Sequence, residues 1–238
     1  NADENFHAAS TMKTPVMIEM FKQAAEGKFK LTDSIVLKNE FKSIVDSSSY
    51  SMDITVDSNP EVYNSIGKKV TLYDLTYDMI TASSNLATNI LIDLVKAKTV
   101  TETMRTLGAN NIMVLRGVED LKAFDLGLSN TTTARDLMII MQAIAEGTAG
   151  NKEDCEEMVR ILIDQNFNSI IPFHLPKEVQ VAHKTGSITG VHHDSGIVYL
   201  PDGRVYVLVI LSKNLEEFED ATKEMSVISK KIYDFMMQ

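Results

Sequence analysis

Three short stretches carry residue types that could do chemistry together: Ser10-Thr11-Met12-Lys13, Ser83-Ser84-Asn85 and Lys184-Thr185-Gly186-Ser187. A serine hydroxyl is a weak nucleophile until a base takes its proton. Residues three apart share a helix face, so the Lys13 amine could reach the Ser10 hydroxyl. The start of a helix also presents unpaired backbone N–H groups that stabilise negative charge developing on a carbonyl oxygen. Ser83 and Asn85 offer a hydroxyl able to relay a proton and an amide able to hold a substrate amide. At the end of a strand, Lys184, Thr185 and Gly186 offer a cation, a hydroxyl and close backbone approach. A substrate can lie alongside such an edge as an added strand. Singly, each stretch has an ordinary structural reading: an N-cap with a surface lysine, an N-cap serine, and a strand-to-turn transition. A second S-x-x-K, Ser65-Ile66-Gly67-Lys68, lies in a loop-like stretch with no apolar helix behind it and reads as chance.

The elements that must position these residues are legible in the apolar spacing. Val16, Met17, Met20, Phe21 and Ala24 form one stripe of a 3.6-residue period, predicting a helix over Thr11–Glu26 that stops at Gly27. Pro15 is tolerable because it falls in the first turn or so. Leu72, Leu75, Met79 and Ile80 mark a second helix, and Leu86, Ile90, Leu91 and Leu94 a third. The Ser-, Asp- and Asn-rich stretch 46–69 reads as an excursion outside the core. A polar connection from Asn110 to Asn130 leads to a helix over Thr132–Glu146. The last third changes character, with β-rich runs at Val179–His183, Gly196–Leu200 and Val205–Leu211, a turn at Pro201-Asp202-Gly203, and a closing helix over Glu216–Met237. Segregated helices and strands predict an α+β fold.

Composition narrows the function classes. The chain has 238 residues, 44% hydrophobic and 24% charged, as expected of an ordinary globule with a sizeable core. No run approaches the roughly 20 apolar residues of a membrane span. The formal net charge is −10, and the basic pairs Lys28/Lys30, Lys68/Lys69 and Lys230/Lys231 are isolated. A nucleic-acid or anionic-membrane partner is therefore disfavoured. Cys155 is the single cysteine, so no intrachain disulfide forms. Asn1–His7 is polar and carries no signal-peptide apolar region.

Together, and in this order, S-x-x-K, S-x-N and K-T-G form the motif set of class A β-lactamases and penicillin-binding proteins. The chain resembles the class A serine β-lactamases from about Phe6 onward, as a divergent member. The likeness is strongest around Ser10, Ser83–Asn85, Arg116–Thr133 and His183–Lys213. It implies an antiparallel sheet flanked by helices plus an all-helical subdomain. The expected segments are a nucleophile helix (1–30), a mainly helical part (31–175) with an insertion (46–69) and an Ω-like loop (110–133), and strands with a C-terminal helix (176–238). It further implies Ser10 as acylated nucleophile, Lys13 as its hydrogen-bonded partner, and Ser83 as proton relay to the leaving nitrogen. Asn85 would hold the substrate amide, Lys184 and Thr185 its carboxylate, and the Ser10 and Ser187 N–H groups, beside Gly186, the oxyanion. Glu119, in Arg116-Gly117-Val118-Glu119-Asp120-Leu121, stands where these enzymes carry the carboxylate that activates the deacylating water.

The sequence also departs from the family. Ala123 stands where an asparagine usually helps to hold the water, and Ser84 where the middle of S-x-N is usually Asp. Arg116 and Asn130 leave the loop's Arg–Asp clamp unmatched, with Asp125 or Asp136 as alternative partners for Arg116. Slow deacylation, or another water-holding group, is expected. His192-His193-Asp194 offers three ligand types in a row, but neighbours on a strand point to opposite faces, so no metal is expected. His192 or His193 is instead expected to replace the arginine that relatives direct at the substrate carboxylate. In the family two strands and a helix precede the nucleophile helix, whereas only Asn1–Ala9 precede Ser10, and a longer mature protein is expected. The resemblance implies no cofactor, a small β-lactam as partner, a monomer, and a periplasmic or secreted location. The alternatives are a D-alanyl-D-alanine peptidase of the penicillin-binding type and a sensor that stays acylated.

Overall fold

A computed structural model describes residues 1–238. In chain order come β1 (Phe6–His7), a 3-10 turn (Ala9–Met12), α1 (Lys13–Ala25), and the short strands β2 (Ser34–Val36), β3 (Phe41–Lys42) and β4 (Ser49–Tyr50). A second 3-10 turn (Pro60–Ser65), β5 (Lys69–Thr71), α2 (Leu72–Thr81), α3 (Asn85–Val95), α4 (Ala97–Thr106) and α5 (Leu121–Asp125) follow. Then come β6 (Thr131–Thr132), α6 (Ala134–Ala145) and α7 (Lys152–Ile163). The chain closes with β7 (Gln180–Ile188), β8 (Val191–Tyr199), β9 (Val205–Ser212) and α8 (Phe218–Met236).

The stripe on α1 is more than one-sided. Every residue from Lys13 to Phe21 is buried, so α1 is the central helix, packed on α2, α3, α4 and α7. Side-chain caps set the starts of α2, α3, α6 and α7: Thr71 accepts from Asp74 N, Ser84 from Ala87 N, Thr133 from Asp136 N and Asn151 from Asp154 N. Such caps contribute about 1 kcal/mol each.

Strands β7, β8 and β9 form one antiparallel sheet with β7 at an edge; Lys184 pairs with Ser195 and Ser187 with His192. Alternation sorts side chains to two faces. Ala182 and Ile197 join the large helical core, while Val181 and Val198 join a smaller core with Met225 and Tyr233 of α8. The expected α+β class is the observed one.

Three features differ from the sequence reading. Helices α4 and α7 were not marked by the apolar pattern, because α4 buries Val100, Thr103 and Met104, and α7 opens on Lys152-Glu153-Asp154. The strands are longer than their β-rich runs, since β7 continues through the polar Lys184–Ser187. The stretch 46–69 is not outside the core: Met52 and Val62 belong to the main cluster and Asp57 is buried, so this segment wraps onto α3.

Candidate active site

Ser10 lies on the 3-10 turn that precedes α1, half-buried. Its neighbour Ala9 has φ +45°, a left-handed conformation that bends the chain sharply into the turn. The turn sits against the edge strand so closely that a Cβ on Gly186 would lie 2.9 Å from both the Ser10 and Thr11 backbone nitrogens. Only glycine permits this approach, and it brings the Ser10 N–H beside the β7 backbone.

Two lysines meet at Ser83. Lys13 Nζ donates to the Ser83 carbonyl (2.7 Å), Ser83 Oγ (3.1 Å) and Asn85 Oδ1 (2.8 Å). Lys184 Nζ donates to Ser83 Oγ (3.1 Å) and to the Thr185 carbonyl (3.0 Å). Lys13 and Lys184 are both fully buried. Burial, opposed by the charges of Asp57 and Glu119, lowers the Lys13 amine to about 7. Burial, reinforced by the charge of Lys13, holds Lys184 well below the usual lysine range. An ammonium has three donors, and those of Lys13 match three acceptors, none of them Ser10 Oγ. The expected direct Lys13–Ser10 contact is therefore absent from this arrangement, because the amine points to Ser83 and Asn85. Ser83 itself has φ +56°, strained for a non-glycine residue.

Glu119 also adopts a left-handed backbone, with φ +60°. Its Oε1 accepts from Asn85 Nδ2 (2.8 Å), so Asn85 bridges Lys13 and Glu119 through the two ends of one amide. Burial raises its pKa, and the Asn85 hydrogen bond partly opposes the rise. One turn along α3 from Asn85, Asn89 pins the loop: it accepts from Val118 N (2.6 Å) and donates to the Val118 carbonyl (2.9 Å). No motif pointed to Asn89; its i, i+4 spacing from Asn85 was the available signal.

The loop closes without an Arg–Asp pair. Arg116 donates to the Leu128 and Gly117 carbonyls, and Asn130 Oδ1 accepts from the Leu115 and Arg116 amides. Asp136 instead accepts from the amides of Asn111 and Ile112, so neither alternative aspartate serves Arg116. Ala123 is fully buried, and its amide donates to the Asp120 cap of α5.

Ser10 stands at the junction of two clefts. One, of about 290 Å³, lies under the loop and is lined by Ser10, Asn85, Glu119 and Asn130. The other, of about 300 Å³, runs along β7 and is lined by Ser10, Ser83, Thr185, Ser187 and His192. All the residues expected at the site converge here except His193.

His193 is a correction. It is fully buried on the opposite face of β8 from His192, where Nε2–H donates to the His7 carbonyl (2.9 Å) and Nδ1 accepts from Ser212 N (3.2 Å). Burial lowers it to about 4, so it is a neutral strut rather than a cation facing substrate. His192 does line the β7 cleft, stacked on Phe218 and bonded to Thr222 Oγ1 (2.9 Å), and burial lowers its pKa as well. Asp194 pairs with His183 (2.9 Å). The three neighbours thus turn to separate partners, and no grouping of His, Cys, Asp or Glu in the fold suits a metal ion.

Fold and site together define an α+β protein with a serine–lysine cluster at the edge of an antiparallel sheet. The model of the β-lactamase enzyme family matches residues 1–236. Among curated relatives, β-lactamase PSE-4 of Pseudomonas aeruginosa is 24% identical over 98% of this chain and 78% of its own. ROB-1 of Haemophilus influenzae is 26% identical over 87% and 72%. Among solved structures, a β-lactamase from Sphaerobacter thermophilus is 29% identical with a TM-score of 0.79, covering 97% of this chain and 82% of that one. PBP-A, 25% identical with a TM-score of 0.81, covers 99% and 83%. The chain belongs to the β-lactamase enzyme family, a family of hydrolases.

Proposed function

We propose that the protein opens the β-lactam ring of penicillin- or cephalosporin-type substrates through an acyl-enzyme on Ser10, and that Glu119 activates the water that releases it. The observation that carries this reading is that Ser10 and Glu119 line one cleft of about 290 Å³, ample for a water of about 30 Å³ between them. On losing a proton Lys13 keeps two donors and gains a lone pair, so one of its three contacts is released and the free pair can accept the Ser10 proton. A substrate carboxylate entering beside Thr185 favours charge on Lys184, and that charge in turn disfavours charge on Lys13. Ser83 Oγ, held between both amines, is placed to pass a proton to the departing ring nitrogen. The Ser10 and Ser187 N–H groups serve as oxyanion donors, worth ~2.7–4 kcal/mol each in other hydrolases. After acylation, Glu119, whose pKa burial raises, is a stronger base than an exposed carboxylate. No step requires a cofactor, and the protein works as a monomer in the periplasm or outside the cell.

A second reading, a D-alanyl-D-alanine peptidase or a sensor that keeps its acyl group, is favoured by the apolar, buried Ala123 and by the likeness to PBP-A. Adding benzylpenicillin and following both hydrolysis and intact mass separates them. The expected result is repeated turnover with no lasting adduct. A persistent adduct supports the second reading, and no reaction refutes the site.

A further inference from the structure

Asp57 lies in the polar stretch that the sequence separates from all three motifs, yet it is buried at the first turn of α3. Its carboxylate accepts from the backbone amides of Asn85 (3.0 Å) and Leu86 (2.9 Å) and sits 3.5 Å from Ser84 Oγ. The Tyr63 hydroxyl (3.0 Å) and the Asn59 amide (3.0 Å) donate to it as well. No lysine or arginine forms an ion pair with it. Three of these donors, Ser84, Asn85 and Leu86, belong to the turn that opens α3, so the carboxylate ties its own segment to that turn.

We propose that Asp57 is a positioning residue of the acylation reaction, fixing the Ser83–Asn85 turn from a separate segment and supplying a negative charge close to Lys13. The proposal rests on the acyl-enzyme reading above. Ser83 and Asn85 hold all three of Lys13's hydrogen bonds, so a shift of this turn moves the amine. Two carboxylates, Asp57 and Glu119, act electrostatically on Lys13, and the neighbouring amine is Lys184, which burial and the charge of Lys13 hold well below the usual lysine range. Asp57 is itself faced by Tyr63, by Glu119 and by Asp78 on α2. Because Ser84 is the N-cap of α3 and approaches Asp57, an aspartate at position 84 would retain the cap and carry a charge at nearly the same place.

The test is the pre-steady-state acylation rate with benzylpenicillin between pH 5 and 9 for the whole chain, for Asp57→Asn, and for Asp57→Asn combined with Ser84→Asp. Folding of each is checked by circular dichroism. Asp57→Asn is expected to lower the plateau rate by about tenfold or more and to move the acid-limb midpoint down by about one pH unit, since removing a nearby negative charge disfavours the charged amine. Adding Ser84→Asp is expected to bring the midpoint back. A folded Asp57→Asn variant with an unmoved midpoint reduces Asp57 to a purely structural role and overturns the proposal. If Asp57→Asn alone does not fold, the double variant decides. A folded double variant acylated with the original midpoint supports the proposal, and an unfolded or unreactive one overturns it. Failure of the acyl-enzyme reading is distinct, because the unmodified protein itself would then form no adduct.

Discussion

The state of Lys13 sets a quantitative expectation for acylation. Its amine is fully buried, and desolvation brings it down to about 7 against the pull of Asp57 and Glu119. If the neutral amine takes the Ser10 proton, the acylation rate follows the neutral fraction. Relative to the alkaline plateau, that fraction is about one-half at pH 7, one-tenth at pH 6 and one-hundredth at pH 5. The sign is fixed by the role: a base acts deprotonated, so the rate rises with pH and levels off above about 8. Stopped-flow mixing with a chromogenic cephalosporin, read in the first turnover, isolates acylation from release. Lys13→Arg, charged throughout this range, is expected to acylate at least about 100-fold more slowly at every pH. A rate that stays flat from pH 5 to 8, or a Lys13→Arg variant that acylates at the original rate, refutes Lys13 as the base.

Gly186→Ala places a Cβ 2.9 Å from the backbone nitrogens of Ser10 and Thr11, so turn and strand must separate. Thermal unfolding is expected to show a loss of about 1–3 kcal/mol and kcat/KM a fall of about 100-fold; unchanged activity would contradict the close approach. Ser83→Gly removes the shared hydroxyl but relieves a left-handed backbone by about 1 kcal/mol. The expected outcome is a melting temperature near that of the unmodified protein with acylation lowered by about 100-fold or more, and comparable losses in both would contradict it.

Two of the three motifs were legible because they sit where a helix begins, at α1 and α3, whereas the third lies within β7 and was legible from the apolar run that leads into it. Helix α1 could be read from Val16, Met17, Met20 and Phe21, all buried in the main core. The boundary between α3 and α4 could not, because Lys96 at φ +70° makes a break where glycine would be the usual signal. Asp57 was hidden for a different reason. It meets the Ser83–Asn85 turn only through tertiary packing of a polar segment, and composition alone describes such a segment as loop. His193 misled because adjacent histidines on a strand are equivalent in sequence, and only the sheet's neighbours decide which one faces the cleft. Lys13 follows Ser10 by three residues, but the acceptors that claim its donors come from a distant turn, which spacing along one helix does not reveal.

The central claim is that Ser10 carries the acyl group and Glu119 frees it, and intact-mass spectrometry of Glu119→Gln after benzylpenicillin addition tests it most directly. The expected result is a stable gain of one whole penicillin mass, mapping by peptide digestion to Ser10 and absent from Ser10→Ala. Hydrolysis by Glu119→Gln at the unmodified rate, or an adduct on any other residue, would contradict it.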